Sequence, residues 1–365
     1  MITCGRKKSP GVHSAQGMAQ SGRILMKSIT IHGSLRDSRV MIGESIRNVD
    51  RYLPRADLII ITDQNVYRHY HHLMPTDKVI RIGTGEKIKN LDTVAYILKE
   101  LIRMEADRSV FMLGIGGGIV CDIAGFAASI YLRGVRFGFV STTLLSQVDA
   151  SIGGKNGVNF EGYKNMVGVF NQPDFIICDP ALLKTLSEKE IRNGCAEIIK
   201  HAAIADKALF TYLESHHKGI LRLERDVVEK TVYESVMIKS SVVNLDEMEK
   251  GERRRLNFGH TLGHAIEKVT GWSHGEAISA GMCAAARISE KRGLLSGKDR
   301  TRIESILGNL GLPTLISAER EMVLEAISGD KKREGDRIHF VLLKGIGNAV
   351  IEEIPIKELE GLLMG

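Results

Sequence analysis

Aromatic residues make up only 5% of the 365-residue chain, with a single Trp, which leaves little surface on which nucleic-acid bases could stack. No apolar run reaches the ~18 residues a membrane span requires. The five cysteines (Cys4, Cys121, Cys178, Cys195, Cys283) share no short repeated spacing. That excludes a cysteine-type zinc module and argues against a disulfide framework. They read as small hydrophobes in a reducing compartment, so a cytoplasmic location is expected. Charge of neither sign dominates: 50 Lys and Arg against 44 Asp and Glu leave +6, with the basic residues spread along the chain. This surplus suits an anionic small substrate; neither a nucleic-acid nor a membrane partner is expected. Internal repeats and low-complexity tracts are absent from the part expected to fold.

Residues 1–25 lack both a folding pattern and an apolar signal core, so a disordered extension is expected there. The remaining length suggests two domains. Strand-like runs at 28–31, 57–63, 78–82, 109–115, 136–140 and 174–178 alternate with helical periods such as 91–104. This predicts an α/β fold, with a Rossmann-like parallel sheet over 26–186. From 187 onward helical periods dominate: 187–204, 226–247, 276–292, 299–310 and 318–328. A small hairpin is expected from 337–343 and 349–351. Residues 187–365 therefore read as a mostly α-helical C-terminal domain.

The third long strand runs into Gly114-Ile-Gly116-Gly117-Gly118 and then a small-residue helix carrying Asp122. Glycines at such a turn let a phosphate approach the backbone and the helix N-terminus. Ile119 occupies the last glycine position of the dinucleotide fingerprint, so a tight structural turn stays open. Asp63, just past a strand end, could accept from ribose hydroxyls, although a helix N-cap is the simpler reading. Gly153-Gly154-Lys155-Asn156-Gly157 and Lys164-Asn165 read as a glycine-rich loop for phosphate or carboxylate.

Three histidines crowd one stretch, Arg253 to His274. His260 and His264 share a helix face one turn apart, and His274 heads the next apolar run. A metal site and a pair of core histidines both fit. Glu197 and Lys200 lie in an otherwise apolar helix, where a carboxylate is costly to bury unless paired or metal-bound. Glu197 is thus the candidate further ligand, against an ordinary Glu–Lys surface pair.

Laid side by side, these segments resemble the 3-dehydroquinate synthases over roughly residues 30–360, in that family's order. The shared motifs are 116–118 with Asp122, Gly153-Gly-Lys-Asn-Gly, Lys164-Asn165, Glu197-x-x-Lys200, Asn257-x-Gly-His260-x-x-Gly-His264, His274-Gly-Glu and Asp330-Lys331-Lys332. The resemblance implies Glu197, His260 and His274 as ligands of a zinc or cobalt ion, with His264 in the substrate pocket. It implies NAD contacts from Asp63, Asn65, Glu86, Lys89, Gly116, Gly117, Gly118, Asp122, Thr142, Thr143 and Thr185. It implies substrate contacts from Asp149, Lys155, Lys164, Asn165, Lys200, Lys239, Arg253, Asn257, His264 and Lys331, and Arg133 reaching a phosphate across a homodimer interface. The implied reaction converts 3-deoxy-D-arabino-heptulosonate 7-phosphate to 3-dehydroquinate and phosphate, through transient oxidation, β-elimination, re-reduction and aldol closure, with NAD regenerated. The alternatives are another sugar-phosphate cyclase, a metal-dependent polyol or glycerol-phosphate dehydrogenase, and a non-enzymatic NAD sensor. The sequence departs from the pattern at Tyr163, where a glycine is expected, and in a short segment between His260 and His274.

Overall fold

The computed structural model describes residues 26–317, 319–328 and 337–364. Lys331 and Lys332 lie outside the described residues, as does the expected N-terminal extension. A seven-stranded sheet holds β1 (Lys27–Ile31), β2 (Ser38–Ile42), β3 (Leu58–Asp63), β4 (Val79–Ile82), β5 (Phe111–Gly116), β6 (Arg136–Ser141) and, after a separate hairpin of β7 (Lys155–Phe160) and β8 (Tyr163–Phe170), β9 (Phe175–Cys178). The order is β1-β2-β9-β6-β5-β3-β4. Every neighbouring pair is parallel except β1–β2, which closes one edge antiparallel. Helices α1 (Gln64–Tyr70), α2 (Leu91–Arg103) and α3 (Gly118–Ile130) connect the strands.

The sheet is apolar on both faces, as a covered parallel sheet must be. In β5, Phe111, Leu113 and Ile115 enter one layer while Met112 enters the other. Phe111 stacks on Phe175 at 5.7 Å between ring centroids. Burying each such side chain contributes roughly 1.5–3 kcal/mol.

Helices α4 (Glu188–Ala205), α5 (Lys207–Leu221), α6 (Arg225–Leu245), α7 (His260–Thr270), α8 (His274–Lys291) and α9 (Gly297–Asn309) make up most of the remainder. They are followed by α10 (Arg320–Ser328), the hairpin β10 (Arg337–Leu343) with β11 (Ala349–Pro355), and α11 (Ile356–Met364). Helix α4 is buried along nearly its whole length, packed against α5, α6 and α8. Ser187 caps it, accepting from the Glu190 N–H.

The expected glycine-rich loop is largely the β7–β8 hairpin. Gly157 pairs with Gly168, and a Cβ on Gly157 would lie 2.6 Å from the Val167 carbonyl oxygen. The glycine therefore serves close backbone approach rather than loop flexibility. The turn itself is Glu161-Gly162, both left-handed (φ 47° and 77°), as a two-residue hairpin turn demands. Tyr163 then opens β8, so the departure from the family pattern is absorbed one residue from a glycine. The short segment before His274 is a three-residue turn. Gly271, left-handed at φ 69°, ends α7, and Ser273 forms a capping box with Glu276 at the start of α8.

Candidate active site

The C-terminal ends of β3, β5 and β6 stand side by side and carry Asp63, Gly116 and Ser141. Gly117 and Gly118 begin α3, and Thr142 and Thr143 follow β6, so the candidate nucleotide residues line this edge. The Thr142 N–H donates to the Gly116 carbonyl at 2.9 Å. A Cβ on Gly117 would fall 2.9 Å from Thr143 Cγ2, and one on Gly118 only 2.7 Å from Ala150 Cβ. These glycines are thus required by packing as well as by any ligand. Asp63 caps α1, accepting from the Asn65 and Val66 N–H groups at 2.8 and 2.9 Å. Thr185 instead meets the Tyr70 hydroxyl at 2.8 Å, at the C-terminal end of α1.

From this edge a polar chain leads to the hairpin. Asp122 on α3 accepts from the buried Lys89, which also donates to Asn165 Oδ1 at 2.5 Å. Asn165 is left-handed (φ 50°) and held by Asn159, whose side chain donates to Glu86 Oε1 at 2.8 Å.

Beyond this edge, on the other side of the 146–150 turn that packs against both α3 and α4, α4 contributes Glu197, Lys200 and His201, all essentially inaccessible to solvent. Bare charges at such depth cost several kcal/mol each, so they must be paired. Lys200 is in ion-pair contact with Glu197 Oε2 and lies 3.8 Å from Asp149 Oδ1. Asp149 sits on a π-helical turn, Ser146–Ala150, a device that re-aims a side chain out of regular helix. It accepts from Lys239 on α6 at 2.6 Å and lies 3.4 Å from His201 Nε2. Burial would raise the Asp149 pKa, but Lys200 and Lys239 hold it well below the usual carboxylate range. Burial pushes Lys239 down to about 8 despite Asp149. For Lys200, Asp149 and Glu197 outweigh burial and raise the pKa.

Glu197 Oε1 faces Nε2 of His274 at 3.1 Å and Nε2 of His260 at 3.5 Å. The ligand atoms of Glu197, His260 and His274 lie within 4.8 Å of one another. Tetrahedral zinc ligands at ~2.0–2.1 Å from the ion are spaced ~3.4 Å apart, which these separations bracket. His260 Nδ1 faces the Phe258 carbonyl at 3.2 Å, which favours the Nδ1–H tautomer, with Nε2 on the side of Glu197. The chemistry of the donor set therefore fits a divalent metal. A proton competes for the same atoms: burial lowers the His274 pKa, but Glu197 and Glu267 raise it to about 9. His264 is not in this donor group; its ring stands edge-on to His260 at 5.3 Å. Spacing along one helix face, which pairs His260 with His264, is thus a poorer guide than the fold. His274 arrives from the next helix because the 271–273 turn is so short.

Two acids that no motif flags, Glu249 and Glu267, hold candidate substrate groups. Glu249 (φ 58°) contacts Lys155 and accepts from Asn257 Nδ2 at 2.7 Å. Glu267 accepts from Lys164 at 2.5 Å. Their signal in the sequence is only that unmatched acids recur near a basic cluster. Arg253 is 2% exposed and donates to the Glu247 and Gly153 carbonyls. Two of its five N–H groups thus donate to backbone carbonyls, and among the described residues the other three make no hydrogen bond. Arg133 projects from an exposed turn in which Leu132, Arg133 and Gly134 are all left-handed (φ 47°, 67° and 113°).

Two family models match the chain in succession: the 3-dehydroquinate synthase N-terminal region at residues 79–193 and its C-terminal region at 194–333. The chain belongs to the 3-dehydroquinate synthase family. A 3-dehydroquinate synthase of Dehalococcoides mccartyi is 40% identical over 348 residues, covering 91% of this chain and 97% of that protein. Among solved structures, 2-deoxy-scyllo-inosose synthase complexed with carbaglucose-6-phosphate, NAD+ and Co2+ has a TM-score of 0.81 at 26% identity, covering 92% of this chain and 99% of that one. The 2-epi-5-epi-valiolone synthase of Streptomyces hygroscopicus with NAD+ and Zn2+ bound also scores 0.81, at 28% identity, covering 90% and 95%. The fold alone is shared more widely: a probable glycerol dehydrogenase of Sinorhizobium meliloti has a TM-score of 0.62 at 15% identity, covering 87% of this chain and 93% of that one.

Proposed function

We propose that the chain is a 3-dehydroquinate synthase acting on 3-deoxy-D-arabino-heptulosonate 7-phosphate with NAD and a divalent metal. The observation that carries this reading is the convergence of Glu197, His260 and His274 beside a buried cationic set of Lys200, Lys239 and Arg253. A carboxylated sugar phosphate brings negative charge at two ends, and such a set suits it. When bound, the nicotinamide takes up and returns a hydride, and the metal acts as a Lewis acid on substrate oxygens. The chain's own groups then orient and neutralise. Lys155, Lys164, Asn165 and Lys331 hold the phosphate that leaves, and the Arg253 fork takes the carboxylate. Asp149 fixes Lys239 and Lys200 in place. Asn257 and His264 face the sugar hydroxyls.

The glycine turn at 116–118, with Asp63, Asn65, Glu86, Lys89, Asp122, Thr142, Thr143 and Thr185, is proposed as the nucleotide site. The division into sheet and helical domains at 186/187 is likewise a proposal; the two family models meet slightly later, at 193/194, inside α4. A cytoplasmic homodimer is proposed, with Arg133 completing the partner's phosphate site. Ile130 and Leu132 flank that turn at 39% and 40% exposure, which supports an interface there. Among the described residues no helix is long and apolar enough to cross a membrane.

Purified protein with NAD, Co2+ and the heptulosonate phosphate should release phosphate with no net change in nicotinamide absorbance. Steady accumulation of NADH would indicate a dehydrogenase, and turnover only with a non-carboxylated sugar phosphate would indicate another cyclase.

A further inference from the structure

We propose that Glu267 is a positioning residue that couples the metal centre to the nucleotide side of the cleft, a role that rests on the ligand reading of Glu197, His260 and His274. The two candidate imidazole ligands are oriented in different ways. His260 Nδ1 faces a backbone carbonyl, that of Phe258, at 3.2 Å. His274 Nδ1 faces a side chain, with Glu267 Oε2 at 3.8 Å. That oxygen is buried and makes no hydrogen bond among the described residues. At 3.8 Å the contact is electrostatic, and a buried carboxylate on the Nδ1 side favours the tautomer that carries its proton there and leaves Nε2 to ligate. The other oxygen, Oε1, accepts from Lys164 at 2.5 Å.

Lys164 follows the hairpin turn by two residues and precedes Asn165, which accepts from Lys89, itself bound to Asp122 on the helix that begins at the glycine turn. One continuous run of polar contacts therefore joins Asp122, Lys89, the 164–165 hairpin tip, Glu267, His274 and Glu197. A nucleotide that engages Asp122 or Lys89 changes the hold on Asn165, and the adjacent Lys164 shares Glu267 with a metal ligand. Any such effect is reciprocal: if NAD alters metal affinity, metal alters NAD affinity by the same factor.

The experiment measures Co2+ dissociation constants by equilibrium dialysis, and the Co2+ absorption spectrum, for the full chain with and without NAD. Wild type is compared with Glu267→Gln, Lys164→Met and Glu197→Gln. For Glu267→Gln, Co2+ binding should weaken about 10- to 100-fold, the range found for outer-shell partners of metal-bound histidines. The effect of NAD on the Co2+ constant should also vanish. For Lys164→Met, Co2+ binding without NAD should persist, with the NAD effect lost. Co2+ affinity within twofold of wild type in a folded Glu267→Gln protein would overturn the positioning role. An undiminished NAD effect in Lys164→Met would overturn the coupling, whether or not Glu267→Gln folds. Retention of tight Co2+ by Glu197→Gln would instead sink the ligand reading on which the inference rests, so the two failures are distinguishable.

Discussion

The two walls of the cleft are built on opposite principles. The sheet wall works by what is missing. Its glycines leave room at 117 for Thr143 and at 118 for Ala150. The helical wall works by what is present and expensive. Glu197, Lys200 and Lys239 are ionisable groups buried to single-digit exposure, each held by another. A wall of glycines fails when anything is added to it. A wall of buried charges fails when one member is taken away, because the partner is left uncompensated. Substitutions should therefore separate the walls: additions on the first should affect the nucleotide alone, and deletions on the second should affect metal and stability together.

Glu197→Gln is the largest expected break. It removes the carboxylate shared by His260, His274 and Lys200, so Co2+ affinity should fall by more than the ~100-fold upper range for outer-shell changes. The melting temperature should fall too, since Lys200 loses its contact with Glu197 and, among the described residues, keeps Asp149 at 3.8 Å as its ion-pair partner. Adding Lys200→Met should recover most of the melting temperature and none of the metal binding. Dialysis and thermal melts on both variants check this; tight metal binding in either one would refute the ligand role.

How much of each wall was legible in the sequence follows from the same contrast. Periodicity and apolar runs locate β3, β5 and α4 to within a residue or two, because burial on both faces forces that pattern. Local spacing cannot place His274 against Glu197, which lies 77 residues away. The cost of burying a lone carboxylate makes Glu197 a candidate further ligand, and the family resemblance then pairs it with His260 and His274 in particular. The β7–β8 hairpin reads as a loop because Gly157 and Gly168 look like breakers, whereas they permit two backbones to touch. β2 and α5 lie outside every strand-like run and helical period read from the sequence. Glu249 and Glu267 escape notice because an acid that holds a lysine across the cleft leaves no local motif.

On the glycine wall, Gly118→Ala places a Cβ 2.7 Å from that of Ala150. Something must shift, and Ala150 ends the π-helical turn that aims Asp149. NAD affinity should drop about tenfold, or ~1.4 kcal/mol. Co2+ affinity measured without nucleotide should stay within about twofold. Ala150→Gly in the same chain should restore nucleotide binding by removing the collision. A Gly118→Ala protein that binds NAD normally would show that this turn does not set the approach.

The smallest expected effect is a pH dependence confined to the helical wall. Burial lowers the Lys239 pKa from its ordinary 10.5 to about 8, against the pull of Asp149. Between those values the unfolded chain binds the extra proton and the folded chain does not, so this group makes stability rise with pH across that window. Anion binding should move the opposite way, because only the protonated amine attracts phosphate or carboxylate. With metal bound, His274 is held neutral and drops out of the titration. Inorganic phosphate is already predominantly the dianion above pH 8 and keeps its last proton throughout this range. Its dissociation constant for the metal-loaded protein should therefore rise as pH passes about 8, because a nearby positive charge is lost. Lys239→Arg should flatten that rise, because a guanidinium stays charged throughout. Calorimetric titrations from pH 7 to 9.5 decide it: a wild-type profile as flat as the arginine variant would mean that Asp149 keeps Lys239 charged, and that burial is the weaker of the two effects.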